Sequence, residues 1–391
     1  MGDARVSPQG ITSITGTDGE REERLPRRDW ILLPLVGLLT ICTIAVLTES
    51  IARRVFPEST STMQSCLIEN DVSTGVRGIP NAVCSEESFE SGLVEYRFNA
   101  CGHRAGMECG PKRSDAYRIV MVGTSTAFGT HLAREKTIAA LLPAELSRQT
   151  GRNIELYNEA LTWETSRAIT LRFNAVLDAR PDMILWIVTP WDIKNAPSLF
   201  SAPSGTGEGG VLARVRKLAK DSRTRVLLDH FLYRSASSYV RLYLKGGDGP
   251  EFLGEKLSVE WQRHLADYDP YAADIEGRAR AAGVPLVAVL VPERAQAAMI
   301  SMGDWPVGYN PFRLGDEVRS IVASHGGIYI DILPGYRDIP NPERGYFPAD
   351  GHPNAEGHRI ISGLLAKALT SGAVPALQDG AAPQGARTKA R

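Results

Sequence analysis

Three residues in this chain have the types and spacing for nucleophilic acyl chemistry. Ser125 follows the apolar run Tyr117-Arg118-Ile119-Val120-Met121-Val122 and the turn Gly123-Thr124. The β-branched residues of that run, and the glycine that stops it, read as a buried strand ending in a tight turn. The serine therefore stands at the carboxyl end of a strand, where open α/β sheets bind ligands. Gly123 lets the backbone turn without steric cost, and Gly129 leaves room for a close approach. A serine hydroxyl is inert without a base. The stretch Tyr346-Phe347-Pro348-Ala349-Asp350-Gly351-His352-Pro353-Asn354 supplies one: His352 would take the Ser125 proton, and Asp350 would fix its tautomer and stabilise the imidazolium. Each residue has a plainer use, Ser125 as a turn residue and Asp350 and His352 as caps of the helix that follows. The combination favours a nucleophile, a base and an orienting acid.

At these two stretches the chain resembles the SGNH hydrolases, also called the GDSL family. Their first block, usually Gly-Asp-Ser with a later glycine, is matched by Gly123-Thr124-Ser125 with Gly129. Their last block is matched by Asp350, His352, Pro353, Asn354 and Gly357. The resemblance covers roughly 116–369 and implies a flavodoxin-like three-layer α/β/α fold and ester chemistry through Ser125, His352 and Asp350, without metal or cofactor. The middle blocks differ. Trp163, in Asn158-Glu159-Ala160-Leu161-Thr162-Trp163-Glu164-Thr165-Ser166, stands where the family has an oxyanion-hole glycine. Trp191, in Thr189-Pro190-Trp191-Asp192, replaces the oxyanion-hole asparagine. Losing one such donor costs on the order of 100- to 1000-fold in rate. Trp163 and Trp191 are thus expected either at the oxyanion and substrate end of the site, as aromatic platforms suited to sugar rings, or as packing for the fold. Asn158 and Asp192 are expected to hold loops, His358 to be structural, and Glu164 to be solvated. The remaining histidines have no neighbour comparable to Asp350 beside His352 and are assigned no role.

The elements that must position these residues follow from the rest of the chain. Among 391 residues with a formal net charge of −1 there is no broad basic surface, which argues against a nucleic-acid partner. No clustered Cys/His spacing and no phosphate loop appears. Residues 1–29 are polar and read as a tail. The uncharged run Trp30 to Leu47, within 30–50, is about the length of a bilayer span. Arg21, Arg24, Arg27 and Arg28 precede it against Arg53 and Arg54 after it, which places the N-terminus in the cytoplasm. Cys66, Cys84, Cys101 and Cys109 all fall in the loop-rich collar 51–115 and read as two disulfides of unspecified pairing, hence an oxidising, periplasmic compartment beyond an inner membrane.

From 116 to 371 apolar strands alternate with helices, the pattern of a parallel sheet covered on both faces. Strands are expected at 118–122, 154–157, 183–188, 285–291 and 327–331. Helices are expected at 137–149, 165–179, 313–324 and 356–369. The interval 200–283 is too long for one crossover and reads as a helical insertion with helices at 211–220, 226–244 and 258–282; 372–391 reads as a second tail. Two functions follow. One is a membrane-anchored esterase or acyltransferase acting on an acylated, for example acetylated, cell-surface glycan. The other is a weak or inactive relative that binds glycan or scaffolds an envelope complex.

Overall fold

The computed structural model describes residues 26, 28–56, 59–71, 75–104, 106–199, 222–232, 235–246 and 250–378. Two compact units are present, Met1–Ile51 and Ala52–Arg391. The first is dominated by helix α1 (Asp29–Val55), which is long and apolar enough to cross a membrane, with a mean hydropathy of 2.5 over its best window. Its apolar side chains are exposed all round. Thr40, Thr43 and Ser50 donate their hydroxyls to carbonyls one turn back, at 2.7–2.8 Å. That leaves no unpaired hydroxyl donor on these three residues, as a hydrocarbon surrounding requires.

In the second unit the collar carries more sheet than its weak periodicity suggests. It contains β1 (Thr60–Ser61), β2 (Leu67–Asp71), β3 (Gly75–Gly78), β4 (Val83–Ser88) and β5 (Gly92–Arg97). β1, β4 and β5 form one antiparallel sheet and β2 and β3 another. The disulfide Cys66–Cys84 ties the residue before β2 to β4, and Cys101–Cys109 closes a loop that follows β5. Such crosslinks are what a segment with a small core of its own needs.

The central sheet is parallel throughout. β6 (Ala116–Val122), β7 (Asn153–Asn158), β8 (Met183–Val188), β9 (Leu286–Leu290) and β10 (Ile328–Tyr329) lie in the order β10-β9-β8-β6-β7. Every residue of β6, β8 and β9 is buried, as continuous apolar runs demand of strands covered on two faces. The expected strand at 327–331 is shorter, because β10 is an edge strand paired on one side only.

Helix α2 (Ser125–Phe128) follows β6, then α3 (Ile138–Thr150), α4 (Ser166–Asp178) and α5 (Pro190–Lys194). The chain steps from β6 to β7 in one direction and returns over β6 to β8. Right-handed crossovers then put α3 and α4 on opposite faces of the sheet. Next come α6 (Arg223–Leu232) and α7 (Ala236–Tyr243), in place of the single helix expected at 226–244, and α8 (Val259–Ala281), the helix expected at 258–282. The helix expected at 211–220 lies outside the described residues. α9 (Arg294–Met302), which apolar patterning did not reveal, precedes α10 (Arg313–Ser324) and α11 (Ala355–Ala368). α11 packs beside α3, while α8 packs against α4 and α10, completing three layers.

Candidate active site

The direction of the chain changes at β6. Its neighbours β7 and β8 are reached by crossovers of opposite sense, so a crevice opens beyond its carboxyl end. Gly123 leaves the strand with φ +146°, and a Cβ there would meet the Ile187 carbonyl oxygen at 2.6 Å. Only glycine fits this approach. Ser125 is then the first residue of α2, so its N–H is not taken up by that helix's own ladder.

The second stretch is a tight loop. Phe347 N donates to the His352 carbonyl at 2.9 Å, and Gly351 N donates to the Phe347 carbonyl at 2.9 Å. Gly351 turns the chain between Asp350 and His352 with φ +92°. Asn354 caps α11 by accepting from Glu356 N at 2.9 Å and Gly357 N at 3.2 Å. From below, buried Arg294 of α9 donates to the carbonyls of Glu343 at 3.2 Å and Pro348 at 2.9 Å.

The folded chain brings the two stretches together across 227 residues. His352 Nε2 lies 2.7 Å from Ser125 Oγ, and His352 Nδ1 lies 2.6 Å from Asp350 Oδ1. The same Asp350 oxygen accepts from the His352 main-chain N–H at 3.0 Å. This contact fixes the proton on Nδ1 and leaves Nε2 free to receive one from the serine. Burial pushes the Asp350 carboxyl up, but the His352 and His131 rings beside it hold it well below the usual carboxylate range. It is an anion at neutral pH, the state the role requires.

Sequence reasoning missed the other side of Asp350. His131 Nε2 lies 3.1 Å from Asp350 Oδ2, and His131 Nδ1 lies 3.3 Å from Glu86 Oε2 on β4. Burial disfavours charge on His131, yet Asp350 and Glu86 pull its pKa up to about 10. Three further collar residues reach the site. Tyr96 accepts from the His131 main-chain N–H at 2.8 Å and donates to Glu86 at 2.9 Å. Glu90, at the β4–β5 turn, accepts from the main-chain N–H groups of Ala349 at 3.0 Å and Asp350 at 2.9 Å. Buried Arg104 donates to the carbonyls of Phe128, of Gly129 at 2.8 Å and of Leu132 at 2.5 Å, fixing the chain that follows Ser125. None of these residues belongs to a local motif; only an acidic residue beside His131 in sequence would have flagged it.

The remaining expected residues are placed as follows. Trp163 is half-buried with φ +60°, the left-handed region that a glycine would occupy without strain. Trp191 is half-buried at the second position of α5, beyond the carboxyl end of β8, which pairs directly with β6. Buried Asp192 accepts from Thr189 N at 2.6 Å and Thr189 Oγ1 at 2.5 Å, and also bonds the Thr124 side chain, so it ties this turn to the serine turn. Asn158 accepts from Ala160 N at 3.1 Å and donates to the Ala127 carbonyl at 3.2 Å. His358 is buried and accepts from Ile138 N at 3.0 Å. Glu164 corrects the expectation of a solvated side chain: it is fully buried and takes two donors from Arg172, one at 2.6 Å.

His131, Asp350 and His352 offer ligand atoms within 4.8 Å of one another, so this set could chelate a divalent ion. Their mutual hydrogen bonds also account for the arrangement by themselves.

No family model and no curated protein matches the sequence. Solved structures similar to the chain include hydrolases of the SGNH and GDSL type. TesA is 15% identical, with 65% of this chain and 98% of that chain covered and a TM-score of 0.36. Axe2, an acetyl-xylooligosaccharide esterase from Geobacillus Stearmophilus, is 11% identical, with 67% and 96% covered and a TM-score of 0.37. The psychrotrophic esterase EstA from Pseudoalteromonas sp. is 12% identical, with 65% and 97% covered and a TM-score of 0.34. At such identities and scores the likeness carries no function across to this chain.

Proposed function

We propose that this protein is an SGNH-type serine ester hydrolase or O-acyltransferase, held on a membrane by α1, with Ser125 as nucleophile, His352 as base and Asp350 as orienting acid. The observation that carries this reading is the unbroken contact series from Ser125 Oγ through His352 to Asp350, at 2.7 and 2.6 Å. Ser125 Oγ attacks the ester carbonyl carbon while its proton passes to His352 Nε2. The oxyanion is met by main-chain N–H groups at Ser125 and Trp163. Collapse of the intermediate expels the alkoxide, which takes the proton back from His352. Water or a sugar hydroxyl then attacks the acyl-enzyme and gives its proton to His352, releasing acid or ester and restoring Ser125.

The substrate class follows from chemistry and compartment. Two disulfides and an apolar N-terminal helix suit an extracytoplasmic domain on the inner membrane, N-terminus inside. There, Trp163 and Trp191 would offer indole faces to an acylated, for example acetylated, cell-surface glycan. A glycan-binding or scaffolding protein with weak or no turnover is the competing reading. Trp191, in the place of a side-chain amide, is what favours it. The deciding experiment is labelling with a serine-directed fluorophosphonate. The wild-type chain should label, Ser125→Ala should abolish the label, and His352→Ala should nearly abolish it. Label that persists in Ser125→Ala, or none in the wild type, overturns the proposal.

A further inference from the structure

The contact series at the site does not stop at the orienting acid. Asp350 presents both oxygens to imidazoles, Oδ1 to His352 at 2.6 Å and Oδ2 to His131 at 3.1 Å. His131 is held from behind by Glu86 at 3.3 Å and, through its main chain, by Tyr96 at 2.8 Å. The edge of its ring also meets Phe347 and the His352 ring, with centroids 5.8 and 5.7 Å apart. The titratable groups facing this ring are Glu86 from β4 and Asp350 and His352 from the loop. Glu90 at the hairpin turn faces the main chain of that same loop.

A carboxylate with one oriented oxygen can still swing about its Cβ–Cγ bond. One gripped on both oxygens cannot, and the ring it orients is fixed with it. We propose that His131 is a positioning residue for the Ser125–His352–Asp350 set, clamped between Glu86 of the collar hairpin and the outer oxygen of Asp350, so that the collar completes the active centre. This rests on the hydrolase reading above. The strong upward pull on the His131 pKa agrees with an imidazolium sandwiched between two carboxylates. A cation held there opposes a second proton on the neighbouring His352 ring, so the clamp influences the pH range of catalysis as well as geometry.

The test uses the full-length chain in detergent micelles, with His131→Gln, Glu86→Gln and the double variant, assayed on 4-nitrophenyl acetate across pH. Circular dichroism and melting temperature report whether each is folded. His131→Gln should lower kcat about 10- to 100-fold with KM within about twofold, because a positioning error of about 1 Å is felt in the transition state. The acid limb of its kcat/KM profile should move up by about one pH unit as the cation is lost. Glu86→Gln should also lower kcat but, with His131 still charged beside Asp350, should not move the acid limb up. The double variant should be no worse than the worse single, since the residues act as one unit. Should His131→Gln fail to fold, Glu86→Gln carries the test alone. Folded single variants with wild-type kcat and an unmoved acid limb overturn the role of His131 and leave the hydrolase reading standing. A wild-type chain that neither labels with fluorophosphonate nor turns over overturns the hydrolase reading, and the positioning role with it.

Discussion

Replacing Asp350 by asparagine exchanges one carboxylate oxygen for an NH2 group and tests the proposed orienting acid directly. In the folded chain Asp350 accepts three times, from the His352 ring at 2.6 Å, the His352 main chain at 3.0 Å and His131 at 3.1 Å. An amide has one acceptor oxygen and one NH2 group. If the oxygen stays with His352, the NH2 group opposes the His131 donor. If it turns to His131, the NH2 group opposes the His352 Nδ1 proton and drives the ring to the tautomer that cannot accept from Ser125. In both cases the negative charge beside the forming imidazolium is lost. Two unit charges about 4 Å apart interact by about 4 kcal/mol at an effective dielectric of 20. That corresponds to about three decades in rate at about 1.4 kcal/mol per decade. A third of the Asp350 side chain is exposed, at 33%, and solvent screens part of this. Tautomer misplacement restores much of the loss, as the roughly 10⁴-fold effect of the same change in a serine protease shows. Asp350→Asn should therefore reduce kcat on 4-nitrophenyl acetate by about 10³-fold, with KM little changed. The folded variant should show it in a stopped assay at pH 7.5. A kcat within threefold of wild type would refute the assignment of Asp350.

Four further outcomes are expected. Intact mass of the non-reduced chain should be four hydrogens lighter than after reduction. Cys101→Ala with Cys109→Ala should cost about 2.5 kcal/mol by loop closure, read by denaturant melts, and lower kcat because Arg104 lies inside that loop. Alkaline phosphatase fused after Arg391 should be active and a cytoplasm-only fluorescent protein dark; the reverse pattern contradicts the extracytoplasmic placement. Trp191→Asn should raise kcat on a chromogenic acetate if an oxyanion donor is limiting, and should instead weaken turnover of an acetylated oligosaccharide if the indole is a sugar platform.

What could be read from sequence was what is encoded locally. β6, β8 and β9 were legible because each is a short apolar run that can only be a strand buried on both faces. The pair Asp350 and His352 was legible because its two members are neighbours, and Ser125 because a glycine turn ends its strand. β10 was overestimated because the residues flanking it carry strand-like composition while only one side has a partner. α9 escaped because it is buried almost all round and so shows no polar face. His131, Glu86, Glu90 and Arg104 were invisible for a different reason. Their meaning lies in contacts between segments, one of them spanning 260 residues, and nothing local announces a partner so distant.

The hairpin that grips the Asp350 loop has a consequence for how the molecule is made. Glu90 lies near the start of the second compact unit and Asp350 near its end, and their contact cannot form until both have been synthesised. Closing so long a loop is slow and comes late, after the local elements have formed. No nascent chain, and no chain truncated before Asp350, can bring Ser125, His352 and Glu90 together. Under the proposed function, competence to attack an ester is then the last property the polypeptide acquires, and a chain shortened to begin at β6 would lack the brace on the Asp350 loop.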